Sequence, residues 1–176
     1  EVAAIRQDNG TAMQLHAQFS AIRASSAFAA LDGWRVRSGA RWSRSRAGLL
    51  WRADYELEYN DRHNLRVDEQ FFSQSPLRNQ LRLELLHGSA NQLALEWQLR
   101  YRHSRYIGTN RLVTPDSQVG AERRQDQLLS VGVQARHALG RRLGLLAEYR
   151  YDANRSRLEV FDYNRHLLSL GLEWQP

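Results

Sequence analysis

An antiparallel, up-and-down transmembrane β-barrel of about eight strands is the all-β fold that this 176-residue sequence predicts, on three observations. Apolar and polar residues alternate with period two along most of the chain, as successive side chains do on a strand. The alternating stretches run about 10 to 14 residues, which suits a tilted membrane-crossing strand better than the five or six residues usual in soluble sheets. Trp and Tyr crowd toward the ends of the apolar stripes, where a ring with one apolar and one hydrogen-bonding end is at home in a bilayer interface.

Residues 1–10 are read as a periplasmic lead-in and residues 11–176 as the barrel. The first strand covers about Thr11 to Arg23 and sets Met13, Leu15, Ala17, Phe19 and Ala21 against Gln14, His16, Gln18 and Ser20. Ala, Met, Gln and Leu are also strong helix formers, so residues 11–31 keep a helical alternative. In the second strand, about Gly33 to Ser45, Trp34, Val36, Ala40 and Trp42 face away from Arg35, Arg37, Gly39 and Arg41. The third, AGLLWRADYELEYNDR over residues 47–62, alternates Leu49, Trp51, Ala53, Tyr55, Leu57 and Tyr59 with Leu50, Arg52, Asp54, Glu56 and Glu58. The fourth, about Asn79 to Gly88, sets Leu81, Leu83 and Leu85 against Arg82 and Glu84.

The fifth strand, about Asn91 to Tyr106, alternates Leu93, Leu95, Trp97, Leu99 and Tyr101 with Ala94, Glu96, Gln98, Arg100 and Arg102. The sixth, about Asp126 to Leu139, divides Leu129, Val131, Val133 and Ala135 from Ser130, Gly132, Gln134 and Arg136. The seventh, about Arg142 to Ala153, opposes Leu143, Leu145, Ala147, Tyr149 and Tyr151 to Gly144, Leu146, Glu148, Arg150 and Asp152. The eighth, about Val160 to Trp174, opposes Leu168, Leu170, Leu172 and Trp174 to Leu167, Ser169, Gly171 and Glu173. Short turns (SRSR, HGSAN, ALGRR) tend to alternate with long polar connections over residues 61–78 and 107–125, which places the short turns and both termini at one end of the barrel.

Composition alone points to a soluble protein, with a mean hydropathy of −0.64 and no apolar run near the roughly 20 residues of a spanning helix. A barrel hides its apolar surface in every second residue, so its average is polar as well. Without cysteine there is neither a disulfide nor a thiolate metal site. Beginning at Glu1 without an initiator Met or an apolar leader, the chain is read as a processed form or a fragment. The formal charge of +6 rests entirely on arginine, and such an excess suits nucleic acid or an anionic surface such as lipopolysaccharide. The bases are spread through strands beside acids and form no cluster or recognition helix, which argues against nucleic acid.

With the apolar stripes facing lipid, the inner face holds Arg35, Arg37, Arg41, Arg52, Arg82, Arg100, Arg102, Arg136 and Arg150 against Asp54, Glu56, Glu58, Glu84, Glu96, Glu148, Asp152 and Glu173. Such a near-neutral mixture can pair inside a narrow lumen, because guanidinium and carboxylate match in plane. Trp34, Trp42, Tyr59, Tyr101, Tyr151 and Trp174 are the candidates for two interfacial girdles. The alternative is a soluble lipocalin-like barrel or sandwich with the apolar face inside, which must fit Trp34, Trp42, Trp51, Trp97 and Trp174 into one small core.

The closing segment YRYDANRSRLEVFDYNRHLLSLGLEW resembles the last hairpin of proteobacterial outer-membrane barrels, especially those that follow tetratricopeptide repeats in Pel-type exopolysaccharide exporters and in surface-lipoprotein assembly modifiers. NDRHNLRVDEQFFSQSPLRNQLRLEL is similar in character, and the resemblance extends as a pattern over roughly the last 130 residues. It implies an outer-membrane location, insertion by the barrel assembly machinery, a periplasmic tetratricopeptide scaffold and a role in export or surface assembly, with exopolysaccharide as the cargo. Such families end in an aromatic residue, whereas here Gln175 and Pro176 follow Trp174. Exporter barrels of this kind usually have more than eight strands, so the chain can also be part of a larger barrel. A closed structural or adhesion barrel working through its loops is the alternative, and a lipid A-modifying enzyme the third.

An enzyme needs a nucleophile, a base and a carboxylate brought together across strands. Among His16, His63, His87, His103, His137 and His166, the pair Ser169 with His16 can be written down, yet His16 reads equally as a lumen residue. No two histidines have metal-ligand spacing with an acid, and no cofactor is expected. The loop Arg62 to Asn79, with Phe71, Phe72 and Pro76 among charges, and the loop Gly108 to Arg124 read as solvated loops or as lids that stack on carbohydrate.

Overall fold

The computed structural model describes residues 2–23, 32–62, 65–67, 70–72, 75–88, 93–113, 119–140 and 142–174. Eleven strands form one antiparallel sheet: β1 (Val2–Asp8), β2 (Thr11–Ile22), β3 (Gly33–Arg46), β4 (Leu49–Arg62), β5 (Leu65–Val67), β6 (Gln70–Phe72), β7 (Pro76–Gly88), β8 (Leu93–Val113), β9 (Val119–Ala138), β10 (Leu143–Ser156) and β11 (Tyr163–Trp174). Nine of them follow one another as an up-and-down meander, β1-β2-β3-β4-β7-β8-β9-β10-β11, while β5 and β6 form a side hairpin that meets β8 through Phe71 and Arg111. Among the described residues the outer edges of β1 and β11 pair with no further strand, so the sheet is open.

The short turns force the strands into register. Asn9 and Gly10 (φ 43° and 75°) and Ala47 and Gly48 (φ 49° and 77°) are left-handed at both central positions, the geometry whose twist suits a tight hairpin. Gly10 also lets two neighbouring turns touch: Ser45 N–H donates to the Gly10 carbonyl at 2.8 Å, and a Cβ at Gly10 would meet the Ser45 oxygen at 2.9 Å.

Burial is inverted relative to a soluble protein. Leu128, at 3% exposure, and the ring of Pro76 are the only buried apolar side chains among the described residues, whereas Glu58, Asn60, Glu84, Ser104, Asp126, Ser130, Asp152 and Asn154 are all buried. Trp51, Trp97, Tyr101, Leu81 and Leu83 stand exposed on the other face. A continuous apolar face of that extent cannot meet water in a stable monomer, and a polar face shielded from solvent is what a lumen provides. The arrangement opposes the lipocalin-like alternative, in which Trp97 and Leu95 would be central and Glu84 and Asp152 solvated.

Three expectations need correction, and one alternative falls away. Residues 2–8 are paired along β2 from Val2 opposite Ala17 to Asp8 opposite Thr11, so they form a strand instead of a lead-in, and the first strand descends toward the short turns rather than starting beside them. The helical alternative fails over Thr11–Ile22, which hydrogen-bonds on both sides as β2; residues 24–31 lie outside the described residues. The described residues within 107–125 form a ribbon, because β8 and β9 continue past a bulge between Arg105 and Thr109 to Leu112 opposite Gly120. The connection over 61–78 likewise contains β5, β6 and the start of β7 at Pro76, whose missing N–H suits a strand's first residue.

Candidate functional site: the charged inner face

Directly opposed residues of an antiparallel pair share a face, so the register assigns every inner residue to a row running across the strands. One row reads Gln14, Arg41, Asp54, Arg82, Arg100, Ser130, Asp152, Arg165 from β2 to β11. The row on its loop side reads His16, Gly39, Glu56, Gln80, Arg102, Leu128, Asn154, and the next Gln18, Arg37, Glu58, Arg78, Ser104, Asp126, Ser156. Toward the short turns lie Ser43, Arg52, Glu84, Gln98, Gly132, Arg150 and then Glu96, Gln134 and Glu148. Arg35 sits on β3 nearer the loop end, and Arg136 and Glu173 close the face at the short-turn end.

Two kinds of ionic contact organise these rows. On β3, β4 and β7 the pairs lie in rungs. Buried Glu58 accepts from Arg37 Nε at 2.8 Å and from Arg78 Nη1 at 2.9 Å, Arg52 Nη1 donates to Glu84 at 2.7 Å, and Arg41 donates to Asp54. His16 stands 4.0 Å from Glu56 across Gly39. A Cβ at Gly39 would fall 2.6 Å from the imidazole and 2.5 Å from the Tyr55 carbonyl oxygen, so glycine there makes room for the ring. On β8 to β11 the contacts converge instead. Asp152, 1% exposed, accepts from the Ser130 hydroxyl and from Arg165 at 2.6 Å, with Arg150 at 3.6 Å. Arg100 donates to Ser130 at 3.0 Å and thus joins the cluster through a neutral group.

At the loop end Arg124 is held by Asp126 through 2.9 Å contacts to both carboxylate oxygens. Its guanidinium lies 4.6 Å over the Tyr106 ring and 3.4 Å over the Phe161 ring, a stacked arrangement that lysine could not reproduce. This joins the β8–β9 ribbon to the 3-10 turn Glu159–Phe161 that precedes β11.

The outward aromatics fall into groups at unequal heights. Phe19, Trp34 and Tyr59 cluster near the loop ends of β2, β3 and β4, with Trp34 stacked 6.2 Å from Phe19 and tilted against Tyr59 at 5.0 Å. Trp42 and Trp174 lie toward the short-turn ends of β3 and β11. Tyr101 sits between Leu81 and Leu129, away from either strand end, while Tyr151 packs 4.8 Å from His166 and donates to Asn164 at 3.3 Å. Trp51 and Trp97, both near the short turns, join Trp42 around an apolar groove of 370 Å³ on the outer face.

Sequence reasoning left Arg78, Asp126 and Arg165 off the inner face and gave Ser130 the inner parity without a role. Arg78 was lost with the long connection in which it stood, Asp126 began its strand, and the others carried the right parity without a partner that the sequence could name. Ser169 and His16 stand on β11 and β2, near opposite ends of the strand order, and the recorded polar neighbour of His16 is Glu56. Among the described residues no cluster of His, Asp and Glu is arranged to hold a metal.

An apolar outer face, a charged inner face and an up-and-down meander together define a membrane-embedded β-barrel protein. The chain belongs to a porin family: the family model described as Putative beta-barrel porin 2 matches residues 43–176, from the end of β3 through β11. No curated protein and no solved structure matches the chain.

Proposed function

We propose that this chain builds the wall of an outer-membrane channel, with polar solutes passing along the arginine-rich face. The observation that carries the reading is the inverted burial, in which ion-paired side chains occupy the sheltered face and large apolar ones the exposed face. In hydrocarbon every backbone group needs an internal partner, so the free edges of β1 and β11 have to be paired once the wall is inserted. Nine meandering strands also describe a wall wider than the eight-stranded barrel whose interior is just filled by side chains.

Within this reading, the resemblance of the terminal hairpin supports export of an exopolysaccharide, with a periplasmic repeat scaffold and the barrel assembly machinery as partners. The family match names a porin and goes no further toward that cargo. Planar-bilayer recording of the purified protein is the test. Discrete conductance steps are the expected result. A silent but heat-modifiable monomer would favour a closed structural barrel, and a mass shift of lipid A incubated with the protein would expose an enzyme.

A further inference from the structure

The row of charges through the middle of the inner face is broken at one place. From β3 to β10 it alternates Arg41, Asp54, Arg82, then repeats the sign at Arg100 before Ser130 and Asp152. Like charges directly opposite each other on a sheet repel, so an adjacent pair of arginines needs something to offset it. The neighbouring acids are already engaged. Asp54, the residue facing Arg82, is taken by Arg41, and Asp152 is taken by Arg165 and Arg150. Arg82 reaches Glu84 only at 3.9 Å, and that carboxylate is bound more closely by Arg52 at 2.7 Å. Arg102, one row toward the loops, has no ion pair among the described residues, and the Nε groups of Arg78 and Arg100 are buried without a hydrogen-bond acceptor.

These guanidinium groups surround space. A cavity of 320 Å³ is lined by Arg37, Arg78, Arg82, Arg102, Gln80, Glu56 and Glu58. Glu58 is neutralised by the two arginines it bridges, and Glu56, the other acid lining the cavity, stands 4.0 Å from His16. The balance left in the cavity is cationic, inside a wall of low dielectric where field lines concentrate. Planar guanidinium groups with free N–H donors are suited to bidentate contact with oxyanions.

We infer that Arg78, Arg82 and Arg102, backed by Arg100, form an oxyanion-binding station on the lumen wall, for a solute carrying phosphate or carboxylate groups. The station deepens the channel reading and rests on it for the route by which the solute arrives. Arg102 is its unpaired cation, Arg82 is held only by the 3.9 Å contact to Glu84, Arg78 contributes its free donor while holding Glu58, and Gln80 between them can donate a neutral hydrogen bond.

The test is calorimetric titration of the folded protein in micelles, at constant ionic strength set with chloride, with inorganic phosphate in one arm and trigalacturonate in the other. Saturable binding is expected in at least one arm, weakened roughly tenfold by Arg82→Gln and again by Arg102→Gln, as loss of a charge-assisted contact implies. Arg44→Gln, on the outward face, should leave it unchanged. The tighter arm names the source of the oxyanion, a free phosphate or a carboxylated sugar. Equal affinity in wild type and in the heat-modifiable double variant, or no binding in either arm, overturns the station. Conductance recorded on the same preparations separates the two ideas: conducting protein without binding removes the station and keeps the channel, whereas binding without conductance removes the channel.

Discussion

The two halves of the inner face use the same residue types and distribute them differently. On β3, β4 and β7 the buried carboxylates have their own guanidinium partners, Glu58 with Arg37 and Arg78 and Glu84 with Arg52, and the more exposed Asp54 has Arg41. On β8 to β11, beside the separate pairs Arg124–Asp126 and Arg136–Glu173, one carboxylate, Asp152, gathers Ser130, Arg150 and Arg165 and, through Ser130, Arg100. A ladder of separate rungs tolerates the loss of one rung, because the cations of that rung can turn to lumen water. A hub does not, since one change strands several groups at once. Buried pairs of either kind are weak evidence for net stability, but breaking one from one side leaves an uncompensated charge.

That contrast is open to direct attack. The largest effect is expected for Asp152→Ala, which strips Ser130, Arg150 and Arg165 of their shared acceptor at once; the loss should exceed that of any rung variant. The urea midpoint of the heat-modifiable folded band in lipid vesicles measures it, and a loss no greater than that of a rung variant would erase the distinction between hub and ladder. Next comes Trp97→Asp, 51% exposed on the outer face of β8 between the halves. A carboxylate there should cost less than the about 2–4 kcal/mol of a midplane arginine, yet enough to slow vesicle insertion measurably. Gln98→Asp, one residue along on the inner face, should insert normally; equal insertion of the two variants would mean that the faces are assigned the wrong way round.

Within the ladder, Glu58→Gln removes the partner of two arginines and should cost about 1–3 kcal/mol in the same urea assay. The smallest shift belongs to Arg41→Gln, a half-exposed pair worth less than about 1 kcal/mol. Conductance recorded with both variants sharpens the comparison, because Glu58 borders the cationic cavity and Arg41 does not.

The strands inside the membrane were legible because a two-residue period survives whichever solvent each face meets. Leu93 to Tyr101 alternates as cleanly in the structure as in the sequence, and the charged positions from Arg52 to Glu58 share one face. β1 escaped notice because VAAIRQD carries small residues on either parity and only Ile5 as a large apolar one. The β8–β9 ribbon escaped for a different reason. Beyond the bilayer neither face has to be apolar, so the alternation that marks a spanning strand is no longer required of it. Partner choice was the least legible layer: Arg82 reads as one more basic residue until the register sets it beside Arg100, with Asp54 already occupied by Arg41.

The sequestration of only two greasy side chains among the described residues, Leu128 and the ring of Pro76, has a calorimetric corollary. The heat-capacity increment of melting comes from hydrocarbon groups becoming hydrated, and here those groups rest on amphiphile tails. In a micelle that stays attached to the denatured chain they would remain on such tails, so the increment should be small. Detergent tail length, more than any repacking of the polypeptide, should then shift the transition temperature.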